Sequence, residues 1–82
     1  MYKIVITQRA VKDISKLDKK MKERIAEKLH LVAQNPVLYS KKLTNPKIGT
    51  YRLRIGEYRV IFDLENSTMI VLRIGHRKEI YQ

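Results

Sequence analysis

Arg52, Arg54 and Arg59 flank the dipeptide Gly56-Glu57 in a run of alternating apolar and basic residues. Gly56-Glu57 fits a two-residue hairpin turn, with Gly supplying the positive φ. Ile55 then faces Tyr58, Arg54 faces Arg59, Leu53 faces Val60 and Arg52 faces Ile61. Side chains alternate across a strand, so all three guanidinium groups leave the same face. Arg54 opposite Arg59 is a like-charge pair, which costs a hairpin some tenths of a kcal/mol up to ~1. The expected resolution is an anion from outside the chain. Arg grips phosphate with a planar bidentate fork and keeps its charge when desolvated. The competing expectation is that sheet twist spreads these arginines in solvent, or that they pair with Glu57 and Asp63.

A second cluster closes the chain, in Gly75-His76-Arg77-Lys78-Glu79-Ile80-Tyr81. It joins an imidazole that titrates near neutrality, a guanidinium and a weakly acidic phenol. Beside an arginine cluster these are the groups that cut RNA without a metal. The RNA's 2′-hydroxyl attacks the neighbouring phosphorus, a base takes its proton, cations stabilise the charge, and an acid protonates the leaving 5′-oxygen. The bland readings are a strand-capping or surface His76 and a packing Tyr81. His30 reads as structural, since it lies mid-helix with no chemical partner near it in sequence. Lys20, Arg24 and Lys28 recur every four residues, as do Lys12 and Lys16. Such a face is either an ordinary solvated one or a grip on RNA phosphates.

The elements that must carry these groups follow from patterning. Residues 2–7 suit a first strand, and Thr7 a helix cap. Val11, Ile14 and Leu17 form the stripe of a short helix; Asp18 caps a second, whose stripe is Met21, Ile25, Leu29 and Val32 and which ends at Asn35-Pro36. Residues 36–49 read as a loop with at most a short irregular strand. Strands at 51–55, 58–64 and 68–74 follow, the last two joined at Asn66-Ser67. The expected architecture is one α+β domain over residues 1–82. Its order is β-α-α-β-β-β: an N-terminal strand, a helical hairpin, then a three-stranded antiparallel meander, with the helices on one face of a small twisted sheet.

Composition agrees. Eighty-two residues make one domain, and an apolar share of 44% supports one modest core. Zero Cys excludes a disulfide framework, a thiolate metal site and a cysteine nucleophile, and two His with eight scattered acids disfavour a structural zinc. No metal and no cofactor are therefore expected. The net charge is +10, and residues 1–40 and 41–82 each carry nine basic and four acidic groups. The folded surface itself is thus cationic and suited to polyanions. No apolar run approaches the ~20 residues of a membrane span and no signal peptide is recognisable, so the expected location is the cytoplasm.

Two blocks, Gly49-Thr-Tyr-Arg-Leu-Arg-Ile-Gly-Glu-Tyr-Arg-Val-Ile-Phe-Asp63 and Val71-Leu-Arg-Ile-Gly-His-Arg-Lys-Glu-Ile-Tyr81, resemble the RelE toxins of the RelE/ParE superfamily. Size, first strand and helical hairpin agree over essentially the whole chain. The resemblance implies an endoribonuclease of a type II toxin–antitoxin pair. Such a toxin cuts mRNA in the ribosomal A site, touches ribosomal RNA, and is silenced by a cognate antitoxin in a hetero-oligomer. By position, Arg52 and Arg54 stand where RelE toxins use lysines, and Arg59 and Arg77 match arginines on the scissile phosphate. Tyr81 matches a tyrosine near the C-terminus that stacks on or orients the substrate nucleotide, and His76 a position that often holds a basic residue or His. Arg54 does not accept a proton as a lysine of lowered pKa does, so the base expected here is His76 or Glu79. Otherwise positioning and charge alone carry a slower reaction.

In the assumed register Ile61, Ile70, Leu72 and Ile74 share the arginine face, an apolar strip suited to an antitoxin segment. Two other functions stay open. One is a ParE-like toxin that binds DNA gyrase, and the other a non-catalytic RNA-binding module.

Overall fold

The computed structural model describes residues 1–42 and 51–80. Its elements are β1 (Lys3–Ile6), α1 (Gln8–Ser15), α2 (Lys19–Val32), α3 (Pro36–Tyr39), β2 (Lys41–Lys42), β3 (Tyr51–Ile55), β4 (Tyr58–Glu65) and β5 (Thr68–His76). They build a five-stranded sheet ordered β1-β5-β4-β3-β2, with β1 parallel to β5 and the other neighbours antiparallel. The expected α+β class, the helical hairpin and the three-stranded meander are all present. No helix of the described residues is long and apolar enough to cross a membrane.

Both expected caps form. The Thr7 hydroxyl accepts the Ala10 N–H at 3.2 Å and donates to the Val71 carbonyl at 2.9 Å, so one side chain starts α1 and ties it to β5. Asp18 accepts the Met21 N–H at 2.8 Å and starts α2. The α1 stripe is rotated from its expected setting: Ala10 is fully buried and Val11 exposed. A helix of two turns has little apolar surface to set its rotation, and the Thr7 tie to β5 sets it instead. The segment expected to be a loop begins with a helical turn, α3. Asn35 caps it, and Pro36 occupies the first helical turn, where a missing N–H costs nothing. The rest of that loop, residues 43–50, lies outside the described residues.

One sheet face carries Leu53, Ile55, Val60, Phe62, Met69, Val71 and Ile74, which meet Ile25, Leu29 and Val32 of α2 and Ala10 of α1 in the core. Stacking of Tyr51 on Phe62, 5.5 Å between centroids, extends it toward the β3 edge. The β3–β4 hairpin has the expected register, Arg54 opposite Arg59 and Arg52 opposite Ile61. Gly56 takes the positive φ, 58°. Replacing it with Ala is expected to cost about 1–2 kcal/mol, because a Cβ is strained in that backbone region. The new methyl would also sit 3.2 Å from a guanidinium nitrogen of Arg24. A urea midpoint restored in Gly56→Asn, which tolerates the region better, separates backbone strain from that contact.

The register of β5 differs from the expectation. Ile61 pairs with Arg73, but Phe62 pairs with Val71, so Leu72 is an extra residue in a β-bulge. Inserting one residue reverses the alternation beyond it. Ile70 stays on the arginine face, whereas Ile74, opposite Val60, belongs to the core. Ile61 is fully buried, and Ile80 folds its Cβ to 3.5 Å from where a Gly75 side chain would begin. The open apolar strip expected from Ile61, Ile70, Leu72 and Ile74 is therefore not formed; Ile70 and Leu72 remain, each half-buried.

Candidate nucleic-acid interface

Arg52, Arg54 and Arg59 line one open concavity of about 450 Å³, together with Lys28 of α2, Lys41 of β2 and the end of α3. Five cations from four elements thus surround one space. Lys28 arrives because α2 crosses the core face toward the β3 edge. Lys41 arrives because β2 pairs with β3, Lys41 opposite Arg52. Arg24 lies against the hairpin turn, its guanidinium beside Gly56, and joins Lys28 and Arg54 around an adjacent cleft. Of the five helical cations singled out from sequence, Arg24 and Lys28 therefore belong to the arginine edge. Lys16 lies elsewhere, beside β5, and Lys12 and Lys20 are exposed on the helices.

Arg59 differs from its neighbours. It is only 8% exposed, and its Nη1 donates to the carbonyls of Gly56 (3.1 Å) and Tyr58 (3.0 Å). No carboxylate among the described residues lies within ion-pairing distance of it. The Arg54–Arg59 pair is thus relieved partly from within: one guanidinium is drawn down onto the turn while the other stays exposed. A guanidinium carries five N–H donors, so Arg59 has donors beyond these two bonds with which to meet an oxyanion.

His76 is not brought to this concavity. It stands opposite Tyr58, on the face that carries the core, with the two rings edge-on at 5.8 Å. Its Nδ1 accepts the backbone N–H of Lys78 at 3.2 Å, which makes the side chain a cap for the C-terminal turn. Glu79, the other sequence-based candidate for a base, lines the same cleft as His76, with Lys16, Tyr58 and Arg73. Arg77 is held at the β3–β4 turn. Its Nε lies 2.8 Å from a Glu57 carboxylate oxygen and its backbone N–H donates to the Glu57 carbonyl at 2.8 Å. Both side chains of that pair are about half exposed, so it contributes little stability and leaves Arg77 able to change partners. Tyr81 lies outside the described residues. His30 is exposed on α2.

Sequence reasoning passed over Asp13 and Arg73. One carboxylate oxygen of Asp13 accepts both the Arg73 Nε at 2.9 Å and the Ile74 N–H at 3.0 Å. That amide follows the bulge at Leu72, so an acid on α1 satisfies a donor near the disrupted ladder. The signal was out of reach from sequence, since a bulge has no motif here.

The family model for the ParE toxin of the type II toxin–antitoxin system parDE matches residues 4–81. The chain belongs to the RelE/ParE toxins of type II toxin–antitoxin systems. Two relatives are each 30% identical to this toxin. They are toxin RelG of Mycobacterium tuberculosis, over 99% of the chain and 97% of the relative, and toxin RelE3 of Methanocaldococcus jannaschii, over 96% and 94%. Among solved structures, the RelBE2 toxin–antitoxin complex of Mycobacterium tuberculosis superposes with a TM-score of 0.84 at 26% identity, over 93% of the toxin and 98% of that chain. The archaeal RelE–RelB complex of Pyrococcus horikoshii gives a TM-score of 0.78 at 26% identity, over 95% and 97%. The isolated Escherichia coli RelE toxin, at 24% identity and a TM-score of 0.79, shares the fold.

Proposed function

We propose that this toxin is a metal-independent endoribonuclease that cuts mRNA in the ribosomal A site and so stops translation. The observation that carries the reading is the concavity shared by Arg52, Arg54, Arg59, Lys28 and Lys41. Its charge density and open shape suit a bent polynucleotide backbone. In the proposed step the 2′-hydroxyl gives its proton to solvent water as its oxygen forms a bond to phosphorus, the bond to the 5′-oxygen breaks, and water protonates the departing 5′-oxygen. The products are a 2′,3′-cyclic phosphate and a 5′-hydroxyl. Arg54 and the remaining N–H groups of Arg59 stabilise the charge on the non-bridging oxygens. With His76 capping the C-terminal turn, and neither it nor Glu79 lining the arginine concavity, positioning and charge carry the rate; general base catalysis typically adds 10²–10⁴-fold. The ribosome supplies the alignment, with Lys12, Lys16 and Lys20 gripping ribosomal RNA, while Arg24 and Lys28 serve the arginine edge. By likeness to the solved RelBE complexes, the toxin is held silent by a cognate antitoxin in a hetero-oligomer in the cytoplasm.

Expression from a tight promoter, with primer extension on a translated and an untranslated copy of one transcript, tests this. Codon-phased breaks restricted to the translated copy, with 5′-hydroxyl ends, are expected. Breaks in both copies, or 5′-phosphate ends, refute the mechanism. The second reading, a ParE-like toxin that binds gyrase without cutting RNA, draws on the separation of His76 from the arginines. It requires an intact transcript and inhibited supercoiling.

A further inference from the structure

The concavity holding Arg52, Arg54 and Arg59 has an aromatic wall. Tyr39, the last residue of α3, lines it together with Lys28 and Lys41. Tyr39 as a residue keeps 41% of its surface accessible. Its backbone is fixed on both sides. Asn35 caps the turn, and the Ser40 hydroxyl donates to the Pro36 carbonyl. Two residues beyond Tyr39 the chain is already paired to β3 through Lys41 and Arg52. The Lys28 ammonium stands 5.9 Å from the ring centroid, a cation–π contact that holds the ring beside the basic track.

Phosphate clamps alone read charge. Single-strand binding sites add aromatic side chains, because every nucleobase has a π-face to stack. Here the ring and the guanidinium groups line the same space, and a nucleotide needs both. We propose that Tyr39 is a base-stacking platform for single-stranded RNA: one phosphate rests on Arg54 and Arg59, and the base of the adjoining nucleotide lies on the tyrosine ring. This rests on the RNA reading of the concavity and adds to it a contact with the base.

The chain contains no Trp, so Tyr39→Trp introduces a single indole reporter. The full chain is titrated at low salt with a 2′-O-methyl hexanucleotide, which lacks the attacking hydroxyl, and with an abasic sugar–phosphate chain of equal length. The hexanucleotide is expected to quench the indole and the abasic chain to leave it unchanged. By anisotropy, Tyr39→Ala weakens hexanucleotide binding roughly 5- to 150-fold, the loss expected for one base–aromatic stack, while Tyr39→Phe stays close to wild type. Abasic-chain affinity should be the same in wild type and Tyr39→Ala. Circular dichroism confirms the fold of each variant. If Tyr39→Ala leaves hexanucleotide binding intact, or weakens both chains equally, the platform is overturned, while weakening by Arg54→Ala keeps the RNA reading standing. If wild type binds neither chain, the RNA reading falls and the platform with it.

Discussion

Arg54→Ala should reduce codon-phased mRNA cleavage by at least ~100-fold, the usual cost of removing one group that stabilises charge in the transition state. Its thermal midpoint should stay within about 4 °C of wild type, since exposed substitutions rarely exceed ±0.5 kcal/mol. Arg54 is the discriminating position because it is exposed and lines both basic clefts. Arg59→Ala is a poorer test. That guanidinium is buried and holds two turn carbonyls, so its loss lowers stability and activity together. Arg54→Lys refines the result, since a lysine restores charge and a group able to take a proton but not the bidentate fork. Full cleavage by Arg54→Ala, with growth still arrested, would remove the arginine concavity from the mechanism.

Asp13→Ala should destabilise the fold by about 2–4 kcal/mol, one of the larger losses available outside the apolar core. The substitution strips the Ile74 amide of its acceptor and leaves Arg73, only 29% exposed, without its carboxylate. In a domain of this size such a loss lowers the melting temperature by roughly 8 °C or more. Asp13→Asn keeps an oxygen for the Ile74 amide and gives up only the charge, so it should recover about half of the loss. Guanidinium unfolding of the three proteins decides the matter. Equal stability of wild type and Asp13→Ala would mean that the carboxylate does not hold β5. The expected loss also has a functional side. β5 leads directly into Arg77, so a loosened strand end shifts that guanidinium relative to Arg59.

Much of the fold was legible in the sequence because the relevant signals are short-ranged. Gly56-Glu57 sets the register of its own hairpin, and alternation then assigns Arg52, Arg54 and Arg59 to one face with no further information. Thr7 and Asp18 sit directly before the helices they cap. The α3 turn was missed because its cues, Asn35 and Pro36, also mark the end of the preceding helix.

The sequence by itself determined a cationic α+β domain with three arginines on one side of a hairpin, since each of these follows from neighbouring residues or from a total. Tertiary structure alone decided what those arginines meet. The Leu72 bulge is steadied by an acid sixty-one positions upstream of Ile74, and by reversing the alternation it moves Ile74 into the core. His76 falls on the core face for the same reason, away from the arginines. Packing of α2 on the core face, and pairing of β2 with β3, then carries Lys28, Tyr39 and Lys41 to the arginine edge. Alternation is a property of consecutive residues and can be counted along the chain. The choice of neighbours across a sheet edge depends on contacts that form only when distant segments meet.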